Sequence, residues 1–350
     1  MASRIYVMTH KKTIAPTESA YCLLQVGRAR GENLGYTGDD TGDNISVKNN
    51  RYGELTGVYW IWKNSDFTGN VGVCHYRRFF IDGEGKLLKE EDYDRLLEKY
   101  DIIVSKAMET ELPYRDYYNE AHDPRELKLL REAMEALFPE DLPVFDETME
   151  EKLYYFGNLC VMHRPEFDAY AAWLFALMGY VEERIDLTGY DEYRGRVYGF
   201  LSEQLLRTWT KKRDLRVYEC SVGISGEKAE TVEFKLAMKQ LVKTGQITEA
   251  NQMFNEILKV RPDLNQESAD LKGELPIIQK LLYTASYEKE HGISGLLDFS
   301  DDLTEWIMHY KRVTEIVKKR GMTEEDRRYL KKTHVSDAMK RVIELNETDN

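Results

Sequence analysis

Gly72-Val73-Cys74-His75-Tyr76-Arg77-Arg78-Phe79-Phe80 starts inside an apolar run, Val71 to Cys74, and turns polar and cationic at its end. Consecutive apolar residues mark a strand covered on both faces, and a polar carboxyl end marks the place where such a strand opens into a ligand crevice. One strand is expected from Val71 to Phe80. Side chains alternate along it, so His75 and Arg77 share one face and Tyr76 and Arg78 the other. Two adjacent guanidiniums suit an anion, most often a diphosphate. The plainer alternative is a surface basic pair that balances neighbouring carboxylates.

Outward from this stretch, strand and helix signals alternate. Ile5–Thr9, Leu23–Val26, Ile102–Val104, Tyr154–Met162 and Leu215–Glu219 read as strands. Arg51–Lys63, Glu90–Lys99, Pro124–Leu137, Glu166–Leu177 and Phe200–Lys211 read as helices. This order predicts an α/β fold with a mostly parallel sheet flanked by helices over residues 1–224. From about residue 225 to 350 only helical periodicity is found, in Phe234–Val242, Thr248–Val260, Leu275–Glu288, Leu303–Lys319 and Glu324–Leu345, which predicts a second, all-α domain. Leu236-Ala237, Leu241, Gly245, Ala250, Phe254, Leu258 and Pro262 resemble one tetratricopeptide-type hairpin, although such units need stacked neighbours. The basic run Lys311-Arg312 with Lys318-Lys319-Arg320 reads as a solvated face or as a phosphate contact.

Composition narrows the function classes. The 350 residues carry a formal net charge of −13, which disfavours nucleic acid and anionic lipid as general partners and leaves room for a local basic patch. Cys22, Cys74, Cys160 and Cys220 are widely spaced within apolar runs and read as buried free thiols of a reducing compartment. No segment approaches the roughly 20 apolar residues of a membrane span. Met1-Ala2-Ser3-Arg4 runs directly into a strand, so no signal peptide is expected and the protein reads as cytoplasmic, with contact at the inner face of the plasma membrane left open. Tyr52, Tyr59, Trp60, Trp62, Tyr76, Phe79 and Phe80 crowd one region, as sugar- or base-stacking residues do and as core residues also do.

Three further features bear on chemistry. The loop Gly38-Asp39-Asp40-Thr41-Gly42-Asp43-Asn44 suits ribose or base hydrogen bonding, or simply turns, and lacks the spacing of a calcium loop. Asn158 is polar inside an apolar strand, where an unsatisfied amide costs about 1–3 kcal/mol. Glu203 is expected near a helix N-terminus, which lowers a carboxyl pKa, and partial desolvation there would suit a general base. Dinucleotide, P-loop, nucleophile-elbow and zincin motifs do not occur.

These residues resemble a bacterial family of capsule, exopolysaccharide and O-antigen clusters. The resemblance rests on Ile5-Tyr6-Val7-Met8-Thr9-His10-Lys11, Asp43-Asn44-Ile45-Ser46, Glu54 to Asn64, Cys74-His75-Tyr76-Arg77-Arg78-Phe79, Asn158 to Met162 and Gly199 to Leu206, and covers roughly residues 4–212. It implies a glycosyltransferase with a GT-A-like, Rossmann-like fold, a nucleotide-sugar donor of the UDP type, a glycan or lipid-linked oligosaccharide acceptor and, for some members, galactofuranose transfer. On this resemblance Thr9 and His10 flank the nucleotide, Asp43 and Asn44 the ribose or base, and Glu54 and Thr56 line or brace the pocket. Enzymes of this fold usually carry Asp-x-Asp where this chain has His75-Tyr76-Arg77. Arg77 with Arg78 would then meet the departing diphosphate, and a divalent metal, Mn or Mg, is left open and not predicted. Asn158 falls on the acceptor side, and Glu203 would deprotonate the acceptor hydroxyl in a single inverting displacement. The alternative is a non-catalytic scaffold of the same fold whose helical domain recruits assembly partners.

Overall fold

A computed structural model describes residues 1–319, 321–333 and 335–345. The chain divides into two compact units, Met1–Ser225 and a second that begins at Gly226.

The first unit is a mixed α/β layer. Its ten strands are β1 (Ser3–Thr9), β2 (Tyr21–Gln25), β3 (Thr37–Gly38), β4 (Asn70–His75), β5 (Arg78–Ile81), β6 (Ile102–Ser105), β7 (Met108–Glu109), β8 (Leu153–Tyr154), β9 (Cys160–His163) and β10 (Val217–Ile224). In the main sheet β2–β3, β1–β2, β1–β4 and β6–β10 pair in parallel, whereas β4–β5, β5–β10, β4–β9 and β6–β9 pair antiparallel. The sheet is therefore mixed rather than mostly parallel. β7 and β8 form a separate two-stranded ribbon.

Both faces of the sheet are covered, which explains the unbroken apolar runs. Tyr6, Met8, Val71 and Val73 face one core with the helices Leu55–Asn64, Arg164–Glu182 and Val197–Lys212, while Ile5, Val7 and Cys74 face a second core that includes Tyr93 and Leu97 of the helix Glu90–Leu97. Both cores lie within the first unit, and β10 closes its sheet between β5 and β6. A chain ending at Ser225 is expected to give one cooperative urea transition by circular dichroism. A chain ending at Arg216 loses β10, and that transition is expected to broaden or vanish.

Four local expectations change. The stretch Val71–Phe80 is two antiparallel strands joined at Tyr76-Arg77, so His75 pairs with Arg78 across the turn. Directly opposed residues lie on one face, so His75 is the neighbour of Arg78 and not, by alternation, of Arg77. Tyr154–Met162 is interrupted by a 3₁₀ turn at Phe156–Asn158, where Gly157 (φ 84°) and Asn158 (φ 55°) are left-handed. The helix expected over Arg51–Lys63 is two helices, Asn49–Tyr52 and Leu55–Asn64, separated by Gly53 in a conformation natural only to glycine (φ 55°, ψ −133°). The helix carrying Glu203 starts at Val197, which moves Glu203 into the second turn, away from the amino-terminal dipole.

The second unit is helical among its described residues, with a core around Trp306, Phe254, Leu275 and Leu282. Ala229–Lys243 and Ile247–Val260 form a helical pair in which Phe234 stacks on Phe254 (centroids 5.1 Å apart). Leu236, expected to pack in that hairpin, is 59 % exposed. Glu324–Leu345 is two helices, Glu324–Lys332 and Asp337–Leu345. Within the basic run Arg312 and Lys319 pair with the buried Asp326 (3.3 and 3.5 Å), and Arg320 lies outside the described residues. Among the described residues no helix is long and apolar enough to cross a membrane.

Candidate functional site

The carboxyl ends of β1, β2 and β4 lie at one edge of the sheet because the three strands run parallel. At that edge the β4–β5 turn presents His75 and Arg78 toward the helices Leu55–Asn64 and Val197–Lys212. Arg78 lies with its guanidinium carbon 4.4 Å from the Phe156 ring centroid. Arg77 occupies the turn itself and is 7 % exposed; its carbonyl accepts from Ser225 N–H (2.9 Å).

The left-handed pair Gly157-Asn158 links this turn to two carboxylates. Gly157 N–H donates to Glu203 Oε1 (3.1 Å), and Asn158 Nδ2 donates to Glu54 Oε1 (2.7 Å) and to the Gly199 carbonyl (3.3 Å). Asparagine is among the residues that tolerate this conformation, and glycine adopts it freely. The amide of Asn158 is thus satisfied, while its Oδ1 is buried without a partner, as is His75 Nε2. A Cβ at Gly157 would stand 2.9 Å from Leu159 Cδ1 and 3.4 Å from Arg78 Nη1. Gly157→Ala is therefore expected to cost about 1–3 kcal/mol in urea unfolding, from the left-handed backbone and this crowding.

Electrostatics divides these groups into roles. Burial, aided by the negative charge of Glu54, pushes the Glu203 carboxyl up to about 8, against the opposing pull of the Gly157 N–H, Arg78 and Arg196. This reverses the lowering expected from a helix N-terminus. Burial also lowers His75 to about 4, assisted by Arg78, Arg196 and Arg77, so its imidazole is neutral near pH 7 and is not the cation that neutralises a phosphate. Burial and the neighbouring Arg77 lower the pKa of Arg78 from its ordinary value.

Arg196, which the sequence reading passed over, completes the cluster. It precedes the helix Val197–Lys212 and sits over the Phe200 ring (5.6 Å to the centroid). Its Nη2 lies beside Gly53, 3.7 Å from where a Cβ would stand, an ordinary contact distance. Arg-x-x-x-Phe at the start of a helix is helical spacing, and that signal was legible in the sequence. Among the described residues neither Arg78 nor Arg196 makes an ion pair; each is seated on an aromatic ring and keeps guanidinium donors available.

The remaining expected residues divide. His10 lies edge-on to Tyr76 (5.7 Å) at the same sheet edge. The Thr9 hydroxyl donates to the Lys11 carbonyl (2.6 Å) and shapes the turn after β1. Thr56 is buried, donating to the Gly53 carbonyl (3.2 Å) and accepting from Asn49 Nδ2 (3.1 Å), so it braces the start of its helix rather than lining a pocket. Asp43 and Asn44 are not brought to Glu54. Asp43 accepts from the Tyr59 hydroxyl (3.1 Å) and its backbone is clasped by Asn64 (3.0 and 2.8 Å), at the other end of a helix that is roughly 15 Å long. Asn44 caps its own loop through the Gly42 carbonyl (2.9 Å) and Ser46 N–H (3.2 Å). The loop is instead organised around buried Asp39, which accepts from Gly27 N–H (2.8 Å), Arg28 N–H (3.2 Å) and the Ser46 hydroxyl. The aromatic crowd also packs inward: Tyr52 stacks on Tyr198 (4.2 Å) and Trp62 on Phe175 (5.9 Å).

Among the described residues no group of three or more His, Cys, Asp or Glu is placed to hold a metal ion.

The apo structure of the WbbM bifunctional glycosyltransferase is similar to this chain, with 30 % identity and a TM-score of 0.60, over 65 % of this chain and 46 % of that one. This chain therefore spans about half the length of that protein. No curated protein matches. Residues 4–214 match the family described as the domain of unknown function DUF4422, which takes in the main sheet apart from β10, the β4–β5 turn and Glu203, and the chain belongs to that family.

Proposed function

We propose that the protein is a glycosyltransferase that moves a sugar from a UDP-linked donor to the hydroxyl of a growing cell-surface polysaccharide, with inversion. The observation that carries this reading is the pair Arg78 and Arg196. Both are partly buried, and cations drawn out of water are normally paired with carboxylates. These two are held by aromatic rings, beside a carboxyl group near neutral pKa, at the strand ends where α/β folds bind ligands. A leaving diphosphate is the anion that such forked donors stabilise.

In the proposed step Glu203 takes the acceptor hydroxyl proton as the acceptor oxygen attacks the anomeric carbon. The bond from that carbon to the diphosphate oxygen breaks, its electron pair leaves with the diphosphate, and Arg78 and Arg196, with Arg77 adjoining, balance the charge. Glu54 holds Asn158, and through it the Gly157–Asn158 turn that orients Glu203. The similarity to a bifunctional glycosyltransferase supports the reaction class, and galactofuranose is the first donor sugar to test.

Calorimetric titration with UDP and with UDP-galactofuranose, in EDTA and again in excess Mn²⁺, tests the reading. Binding of similar affinity in both buffers, followed by release of UDP when a glycan acceptor is added, supports it. Binding without turnover over any acceptor tried would favour the scaffold alternative.

A further inference from the structure

We infer that an aromatic wall beside Glu203 is a saccharide-binding surface, and that the acceptor sugar stacks on Tyr117. This rests on the proposed glycosyl transfer for the name "acceptor"; the surface itself stands on its own geometry. The wall starts at Phe156, the seat of Arg78, and passes to Tyr154 (6.4 Å) and from there to Tyr117 and Tyr114 (both 5.6 Å). Burial raises the Tyr154 and Tyr114 phenols, and the charge of Glu203 adds to it at both, so the wall flanks the carboxyl proposed as base.

Core packing accounts for Tyr114 and Tyr154, which are 2 % and 4 % exposed, but not for Tyr117, which is 40 % exposed on top of them. The helix Tyr114–Ala121 and the β7–β8 ribbon hold it there, the former through Tyr114 N–H on the Glu151 carbonyl (2.8 Å). The Tyr117 and Tyr154 hydroxyls are 3.4 Å apart and form a polar edge to an apolar face. An aromatic face with phenol tips matches a neutral polyhydroxylated ring, whose C–H face stacks while its hydroxyls meet the phenols. The charges next to Tyr117 are largely engaged with one another, because Arg115 pairs with both Asp116 and Glu150.

The test uses the full chain and saturation-transfer NMR with the methyl α- and β-glycosides of galactose, glucose, mannose and rhamnose. At least one glycoside is expected to receive saturation from the wild type. Its apparent affinity should fall about tenfold in Tyr117→Ala and be kept in Tyr117→Trp, while UDP titration is unchanged in both variants. No signal from any glycoside, or equal signal in Tyr117→Ala, overturns the inference. Saccharide binding that needs Tyr117 in a protein that does not bind UDP would sink the transferase reading and leave this surface standing. UDP turnover with no dependence on Tyr117 would do the reverse.

Discussion

Glu203→Gln is expected to lower turnover by about 10²–10⁴-fold and to leave UDP affinity nearly unchanged. The amide keeps an oxygen for the Gly157 N–H, so the turn at Gly157-Asn158 and the seat of Arg78 survive. What is lost is the proton acceptor. In the wild type the base must be ionised to act, and its carboxyl titrates at about 8, so turnover should rise with pH up to about 8 and level off above it. The same group links to stability. Between its ordinary value of 4.5 and about 8 the native protein holds a proton that the unfolded chain has released, so stability falls as pH rises through that window. Glu203→Gln removes this slope. The variant is expected to melt above the wild type at pH 8–9 and close to it at pH 4.5, by differential scanning calorimetry. A variant that loses activity and gains stability at alkaline pH separates a catalytic carboxyl from a merely structural one.

Arg78→Ala and Arg196→Ala are each expected to lower turnover by about 10²–10³-fold, the effect of removing one preorganised donor from a developing anion. Lysine should restore little at either position, because an ammonium lacks the planar fork that grips two phosphate oxygens and that sits over Phe156 or Phe200. Arg78→Ala carries a second signature. Arg78 pulls the Glu203 carboxyl down, so its removal should move the alkaline rise in turnover to higher pH. Steady-state assays of released UDP across pH 6–10 read both effects together. If Arg78→Ala leaves both the rate and the pH profile unchanged, the guanidinium does not act on the diphosphate.

The alternation of strands and helices could be read from hydrophobic periodicity because both faces of the sheet are buried. The His75–Arg78 pair could also be read, but its geometry could not. Nothing in Val71–Phe80 distinguishes one long strand from two strands joined at Tyr76-Arg77, because the turn contains neither Gly nor Asn. That turn exchanged Arg77 for Arg78 as the neighbour of His75. Glu203 was legible as a residue, while its pKa depends first on burial and then on Glu54, far away in sequence and linked to it through the Gly157-Asn158 turn. Asp43 and Asn44 read by composition as ligand contacts or as turn residues, and the hydrogen bonds they make are those of the loop and of the helix Leu55–Asn64, since Asp and Asn serve turns as readily as hydroxyl ligands. Arg78 on Phe156 is a contact across the fold that no local pattern announces.

A crystal structure of the protein with UDP, grown in EDTA, tests the central claim most directly. The diphosphate is predicted within hydrogen-bonding distance, about 2.7–3.2 Å, of guanidinium nitrogens of both Arg78 and Arg196, with Glu203 facing the space where the sugar would stand. A diphosphate lying away from both arginines, or bound only after a divalent cation is supplied, would contradict it.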